Sequence, residues 1–344
     1  MSFQKLIAGM MMRLPAGLLV KLSGGKPLTI EGRTLEPQLQ AVAWNGRKAP
    51  PLSSLSPEIV QAATIEQIGL MAAKPEPGVT FDDIMIPGKG GHEIRARTYR
   101  PIDQDPNAPL MVYYHMGGGV ILDIESCHAF CSIIASIAKC PVVSVDYRLA
   151  PQHKFPAGIE DCIAAYEWAL RNAGDYGAPE GVAAVGGDSM GGNFSAIIAQ
   201  EMMREHKPLP ALQLLIYPAV DLVENFPSRT AFADTFSLST DTMNWFMEQY
   251  LPEGFDQSNP MLSPGQTRDL SGLPPAIVVT AGHDPLVDEG DNYAKRLESD
   301  GVEVIHKRYD TLSHAFTAFT DFSPGSRAAC VEIAGFVRDM YSRR

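Results

Sequence analysis

The sequence predicts an α/β fold, with an eight-stranded, mostly parallel sheet flanked by helices and a mainly helical cap. From residue 80 onward, apolar strand-like runs alternate with helix-like segments, which is typical of a parallel sheet covered by helices. Several runs (LMVYYH, PVVSVD, AIVVTA) are almost continuously apolar, as expected for strands buried on both faces. The start of the chain and a stretch after residue 220 lack strands and break this alternation.

The alternating segments assign residues 79–220 and 260–344 to one core. The predicted strands are Thr80–Ile86, Glu93–Tyr99, Pro109–His115, Pro141–Asp146, Val182–Gly187, Ala211–Tyr217, Pro275–Ala281 and Val302–Tyr309. The predicted helices are Cys127–Ala138, Gly158–Asn172, Ser189–Arg204, Leu286–Ser299 and Ser326–Tyr341. Residues 1–78 form an N-terminal cap segment, and residues 221–259 form an inserted cap segment with a candidate helix at Thr242–Tyr250. Both are expected to cover a site at the carboxyl ends of the strands, the alternative being ordinary helices packed on the sheet edge.

Composition narrows the function classes. The 344 residues carry a net charge of −12, and binding to nucleic-acid phosphates needs a basic surface instead. Arg13 and Pro15 interrupt the early apolar stretch, so we expect neither membrane insertion nor a signal peptide. Five cysteines, an odd number without a C-x-x-C pair, predict buried thiols in a reducing cytoplasm rather than disulfides or a metal site.

The clearest chemical motif is Gly187-Asp188-Ser189-Met190-Gly191, between an apolar strand and a helix. This is the context of a G-x-S-x-G nucleophile turn, in which the residues two before and two after the serine must be small. The turn presents Ser189 at a helix N-terminus, where free amides favour developing negative charge. A glycine-rich dinucleotide loop is the alternative, but G-x-G-x-x-G does not fit these residues.

A serine nucleophile needs a histidine base and an acid that orients the histidine. With a G-x-S-x-G turn, these residues occur in the chain order serine, acid, histidine. His314 lies in a loop after the last predicted strand, the position suited to a base. Asp284 closes the strand-like run AIVVTAGH and is the candidate acid. The weaker alternatives are His206, His283 and His306 for the base, and Asp288 and Asp310 for the acid.

A glycine run follows the third predicted strand, in the loop from His115 to Gly119. Consecutive glycines allow backbone N–H groups to turn toward an oxyanion without a Cβ in the way. The amide of Met190 is the second contribution expected, because it directly follows the candidate nucleophile. The glycine run and the position of Met190 therefore predict an oxyanion hole beside Ser189.

These motifs together resemble the bacterial hormone-sensitive-lipase family (family IV) of α/β-hydrolase esterases, in the subgroup with a G-D-S-x-G-G motif. The matching pieces run in the family's order over roughly residues 80–320 and include DYRLAPQHKFPAGIED, GDSMGGN, DPLVDEG and SHAF. The resemblance implies an α/β-hydrolase fold, a triad of Ser189, Asp284 and His314, and no cofactor or metal. It also implies a bracing role for Asp146, Arg148 and Asp161 beneath the site.

The chain departs from the family's H-G-G-G-aromatic pattern in the glycine loop. Aligned without a gap, Met116 replaces the first glycine and Gly119 the aromatic, which leaves Gly117 and Gly118 as oxyanion donors with Met190. A gapped alignment makes Gly118 and Gly119 the donors instead. We expect the lost aromatic to open one side of the pocket and Met116 to add a flexible apolar wall. Further departures that affect the pocket or its surroundings are Met190, Gln152 and Ala315.

The resemblance implies a carboxylesterase acting on short- to medium-chain acyl esters through an acyl-enzyme. The expected pocket residues are Met116, Gly119, Leu286 and Phe316, and apolar cap residues add Met10–Met12, Trp245 and Phe246. An amidase, lactonase, deacetylase or thioesterase on the same triad remains an alternative, as does a non-catalytic ligand-binding protein. The expected partner is a small-molecule ester, with a homodimer of this chain as a further candidate.

Overall fold

The computed structural model describes residues 14–71 and 74–344. Its centre is an eight-stranded sheet in the order β10-β9-β8-β7-β5-β6-β4-β3. These strands are β3 (Val79–Pro87), β4 (Glu93–Pro101), β5 (Leu110–Tyr114), β6 (Val142–Val145), β7 (Ala183–Asp188), β8 (Gln213–Ile216), β9 (Ala276–His283) and β10 (Val304–Ser313). All eight predicted strands are present, and the α/β-hydrolase fold expected from the resemblance is confirmed.

The sheet is parallel from β10 to β6, whereas β4 pairs antiparallel with both β6 and β3. In β5, Leu110 and Val112 pack in one apolar cluster, while Met111 and Tyr113 pack in another. Successive side chains of a strand point to opposite faces, so both faces of the sheet are covered. The carboxyl ends of the parallel strands meet at one edge, where the site lies.

Helices cover the two faces. The core helices are α4 (His128–Ala138), α5 (Ala157–Asn172), α6 (Met190–Arg204), α9 (Val287–Ser299) and α10 (Pro324–Tyr341). Buried residues of α4 and α10 share one apolar cluster, and those of α5 and α6 share another. Short 3-10 turns occur at Leu52–Ser54, Ala173–Tyr176, Pro264–Gln266 and Phe316–Phe319. No helix in the described ranges is both long and apolar enough to cross a bilayer.

The leading segment contains helices α1 (Ala16–Leu22), α2 (Pro37–Gly46) and α3 (Pro57–Met71). It also contains a short hairpin of β1 (Thr29–Ile30) and β2 (Arg33–Thr34), although the sequence showed no clear strand there. With only two residues in each strand, the hairpin is too short for an alternating pattern to reveal. The Glu36 carboxylate accepts a 2.9 Å hydrogen bond from the backbone of Gly325, which fastens this segment to α10.

The inserted segment contributes helices α7 (Pro227–Ala231) and α8 (Thr240–Tyr250). The division of the chain at residues 78, 220 and 259 stays a prediction. Met10–Met12 lie outside the described residues. All five cysteines are buried free thiols.

Candidate active site

Ser189 lies in a strained turn between β7 and α6, with φ 56° and ψ −116°. A non-glycine residue rarely adopts a positive φ, so the surrounding packing must hold this conformation. A Cβ on Gly191 would overlap the carbonyl oxygen of Tyr114, and one on Gly187 would overlap the backbone of Gly191. The two glycines therefore allow the backbone to pack closely enough to hold Ser189 at the sheet edge.

Ser189, His314 and Asp284 form a continuous hydrogen-bonded chain. The Ser189 Oγ lies 2.9 Å from His314 Nε2, and His314 Nδ1 lies 2.7 Å from Asp284 Oδ2. With the proton on Nδ1, His314 donates to Asp284 and accepts from Ser189. The second Asp284 oxygen accepts a 2.9 Å bond from the Leu286 amide, which fixes the carboxylate. Such a relay can activate a hydroxyl as a nucleophile.

The loop carrying His314 rests on a buried polar cluster that sequence reasoning missed. The Tyr217 ring lies 4.7 Å from the His314 ring. The hydroxyls of Tyr217 and Thr317 donate to Asp188 Oδ2 over 3.0 and 2.8 Å. Burial raises the pKa of Asp188. The sequence signal that could have indicated this cluster is the aspartate directly before Ser189, at the end of an apolar strand.

The glycine loop lies beside Ser189. Gly117, Gly118 and Gly119 all have positive φ, and within the described residues the N–H groups of these three glycines and of Met190 donate to no protein acceptor. Gly117 and Gly118 line a cavity at Ser189, whereas Gly119 lines neither cavity there. This arrangement favours Gly117 and Gly118, rather than the gapped alternative, as donors to an oxyanion.

His115 stabilises the glycine loop through contacts with Tyr147 and Met116. Its ring stacks on Tyr147 at 4.2 Å, and its Nδ1 lies 2.7 Å from the carbonyl oxygen of Met116. The Tyr147 hydroxyl donates to the His115 carbonyl over 2.7 Å. Burial lowers the pKa of His115 to about 4, so the ring is neutral at pH 7. It holds the loop rather than transferring protons.

Two cavities open onto Ser189. The large chamber has a volume of about 690 Å³ and is lined by Met190, Leu286 and both apolar and polar residues of the inserted segment. The small chamber has a volume of about 200 Å³ and is lined by Met116 and His314. Ser189 and the Phe246 ring line both chambers, so the candidate nucleophile lies where the two chambers meet. Trp245, by contrast, is buried and lines neither chamber.

Two of the expected pocket residues do not line a chamber. Gly119 lies under the Tyr250 ring, whose Cε2 would be 2.7 Å from a Cβ at that position. The expectation that losing an aromatic there opens the pocket is wrong, because Tyr250 fills the space from α8. Phe316 is completely buried and packs against the Tyr217 ring at 5.1 Å. It supports the base loop from inside the core.

The other candidate bases and acids lie outside the hydrogen-bonded relay. His306 Nε2 lies 2.9 Å from Asp291, and Asp310 pairs with Arg308 at 2.8 Å. None of the alternatives has a hydrogen bond to Ser189 or His314 within the described residues; they are His206, His283, His306, Asp288 and Asp310.

An ion pair with one fully buried partner braces the loops beneath the site. The Arg148 guanidinium donates to both oxygens of Asp161 over 2.8 Å, and Asp161 is completely buried. Arg95 contacts Asp146 at 3.6 Å. The described residues contain no group of three or more His, Cys, Asp or Glu side chains that would hold a metal ion.

The family model and the known proteins that this chain matches indicate an α/β-hydrolase fold and ester hydrolysis. A family model for the α/β-hydrolase fold matches residues 111–318. The carboxylic ester hydrolase LipN of Mycobacterium tuberculosis is 38% identical over 330 residues, covering 94% of this chain and 87% of LipN. The ethyl acetate hydrolase of Pseudomonas putida is 32% identical over 282 residues, covering 81% of this chain and 89% of that protein.

Among solved structures, the hyperthermophilic esterase of the archaeon Pyrobaculum calidifontis is similar with a TM-score of 0.83 and 37% identity, covering 89% of this chain and 98% of that one. The fold, the motifs in the family's order and these relatives all indicate the same family. The chain belongs to the bacterial hormone-sensitive-lipase family (family IV) of the α/β-hydrolase superfamily.

Proposed function

We propose that this protein is a serine carboxylesterase in which Ser189, His314 and Asp284 are the catalytic triad. The observation that carries the proposal is the relay of 2.9 and 2.7 Å from Ser189 through His314 to Asp284 at the carboxyl edge of the sheet. The free amides beside Ser189 add the electrostatic half of acyl-transfer chemistry. The named activities of the relatives support the same reaction.

In the first half-reaction, the Ser189 Oγ attacks the ester carbonyl while its proton moves to His314 Nε2. Asp284 stabilises the imidazolium that forms. The N–H groups of Gly117, Gly118 and Met190 hold the oxyanion, each lowering the barrier by roughly 3–4 kcal/mol. His314 then protonates the departing alcohol oxygen, and the acyl group stays on Ser189.

In the second half-reaction, water replaces the alcohol and attacks the acyl carbonyl. His314 accepts the proton of this water, and the tetrahedral intermediate again places its oxyanion on the amides. Collapse returns the proton to Ser189 Oγ and releases a carboxylic acid. All of these steps use groups of the chain itself.

The positions of the two chambers support an assignment of the two arms of the ester. The leaving alcohol must receive its proton from His314, which lines the small chamber and not the large one. We therefore assign the alcohol to the small chamber and the acyl chain to the large chamber, beside Met190 and Leu286. About 690 Å³ accommodates short and medium acyl chains, in line with the sequence-based expectation.

The direct test is the initial rate of hydrolysis of p-nitrophenyl esters from acetate to palmitate. We expect a maximum at short or medium chains and a loss of about 10³-fold or more in Ser189→Ala. The control is Ser195→Ala on the same helix, which removes a hydroxyl bonded to the Gly191 carbonyl and leaves the relay intact. Activity that survives in Ser189→Ala would mean that another residue is the nucleophile.

A reciprocal pair of variants tests the chamber assignment. Leu286→Trp should penalise long acyl chains and spare acetates, whereas Ala318→Phe should penalise bulky alcohols and spare methyl esters. The measurement is kcat/KM on two ester series that vary one arm at a time. The opposite pattern would reverse the assignment and leave the esterase proposal in place.

We also propose a cytoplasmic location, which the five buried free thiols support because reducing compartments keep cysteines unpaired. The proposed partner is a small-molecule ester, without a metal or cofactor. A homodimer remains a candidate assembly, to be tested by light scattering of the purified protein.

A further inference from the structure

A third cavity lies behind the active site, between the leading and inserted segments. This rear cavity has a volume of about 290 Å³. Its walls are mainly apolar and come from Leu28, Ile30, Leu35, Leu39, Ala43 and Phe232. It shares the wall residue Phe236 with the small chamber and Thr230 and Ala233 with the large one, but neither Ser189 nor the glycines of the oxyanion loop line it. It is therefore separate from the proposed ester site.

The most buried polar side chain that lines the rear cavity is His283, which is only 1% exposed. Its ring lies against the Phe232 ring at 5.8 Å and near the backbone of Arg33, yet neither ring nitrogen makes a well-aligned hydrogen bond within the described residues. A buried polar group without a partner costs free energy, so a ligand that bonds to it is favoured. Burial and the nearby Arg33 lower the pKa of His283 to about 4, which leaves a neutral ring with one N–H donor.

The charges around the rear cavity favour an anionic head group. Arg47 lines its exposed end, and the Arg33 guanidinium lies over the Phe232 ring at 4.7 Å. Asp234 also lines the cavity and offsets one of these two positive charges, whereas Asp310, whose charge also acts on His283, is itself paired with Arg308 at 2.8 Å. The remaining positive charge, together with the His283 donor and the apolar walls, matches a molecule with an apolar tail and one negative end.

We propose that the rear cavity is a second binding site for a short-chain carboxylate, whose oxygen accepts a hydrogen bond from His283 and whose tail packs between the leading and inserted segments. The volume equals that of about ten water molecules in the liquid, which sets a ligand of about ten non-hydrogen atoms or fewer. Hexanoate, with its six-carbon chain, falls within this limit.

The position gives the site a connection to catalysis. His283 and Ser313, which both line the rear cavity, directly precede Asp284 and His314 in the chain. A bound carboxylate thus contacts the residues that hold the acid and the base in place. Identifying this ligand with the reaction's own acid product rests on the proposed esterase function, whereas the site itself does not.

The experiment separates the two sites by blocking one of them. Diethyl p-nitrophenyl phosphate phosphorylates the nucleophilic serine, because Oγ bonds to phosphorus and p-nitrophenolate leaves. The p-nitrophenolate released per chain reports on the proposed nucleophile, and Ser189→Ala should release none. Calorimetric titration of the blocked enzyme with hexanoate then reports on binding away from Ser189, and the variants of the rear cavity assign that binding to the cavity.

We expect one hexanoate per blocked chain and at least tenfold weaker binding of hexan-1-ol, which has the same tail without the charge. Ala43→Phe, which fills the cavity, and His283→Phe, which removes the donor, should each weaken hexanoate binding at least tenfold. Arg47→Gln should weaken it severalfold without disturbing the core, whereas Lys48→Gln, an exposed neighbouring cation that does not line the cavity, should not.

Absence of hexanoate binding to the blocked wild type would overturn the proposal, as would equal binding of hexanoate and hexan-1-ol. Unchanged binding in Arg47→Gln and His283→Phe would also overturn it. If no p-nitrophenolate is released, the esterase proposal fails, and the same hexanoate titration of the unreacted Ser189→Ala enzyme still tests the rear cavity.

Discussion

The turn at Ser189 and the contact between α8 and the glycine loop both depend on glycine, but for different reasons. At Gly191 an added Cβ would meet the main chain of β5, whereas at Gly118 it would meet the Phe246 ring of α8 at 2.5 Å. The first contact is between backbones that every sheet of this topology brings together. The second depends on the side chains of an inserted segment. Contacts within the sheet thus fix the position of Ser189, the proposed nucleophile, and the inserted segment fixes the shape of the space around it.

The largest effect on activity expected in the core comes from removing the charge of Asp284, the proposed catalytic acid. Asp284→Asn should lower kcat by roughly 10³–10⁴-fold with the fold intact, because the amide disfavours the required His314 tautomer. The measurement is kcat on a p-nitrophenyl ester, with circular dichroism to confirm folding. No single cap substitution should approach this loss, and a cap variant that equalled it would break the contrast between core and cap.

Adding one methyl group at the nucleophile turn tests the role of the backbone contact. Gly191→Ala should lower the free energy of unfolding by about 3 kcal/mol, since the Tyr114 carbonyl cannot move without disturbing the sheet. Gly335→Ala in α10 is the matched control, because nothing lies within 4 Å of its added Cβ. That variant should gain about 0.5–1 kcal/mol from helix propensity. Equal urea-unfolding midpoints for the two variants would contradict the argument.

The buried His115 predicts a pH dependence of stability. Its pKa is about 4 in the folded protein and near 6.5 in the unfolded chain, so between these values the unfolded state binds the extra proton. Stability therefore falls as pH falls from 6.5 to 4, by about 3 kcal/mol for this residue. His115→Gln should remove that part of the loss in urea unfolding. Parallel curves for both proteins would mean that the folded ring accepts a proton.

The smallest effect is expected at the cap. Phe246→Ala should lower kcat/KM by about tenfold and broaden acyl-chain preference, because its ring lines both chambers and packs on Gly118. Tyr250→Phe is the control, since its buried hydroxyl has no partner within the described residues and its removal costs little. A sharp chain-length optimum retained in Phe246→Ala would show that the ring does not separate the chambers.

The sequence predicted the core because its signals are local. The apolar run at β5 and the small residues around Ser189 each follow from one buried strand and one tight turn, and their bounds agree within a few residues. The failures at Gly119 and Phe316 have one cause. The space beside Gly119 is filled by Tyr250, and Phe316 packs against Tyr217. Both tyrosines are far away in the chain, and no local sequence pattern encodes such a contact.

The small chamber has a consequence for the order of events in one catalytic cycle. On the chamber assignment proposed above, the acyl group still occupies the large chamber once the alcohol departs, so the second nucleophile is expected to arrive through the space that the alcohol vacated. Water and any alcohol that fits this space therefore compete for the same acyl-enzyme. The walls that select the leaving group in the forward direction also set the partition between hydrolysis and acyl transfer to an added alcohol.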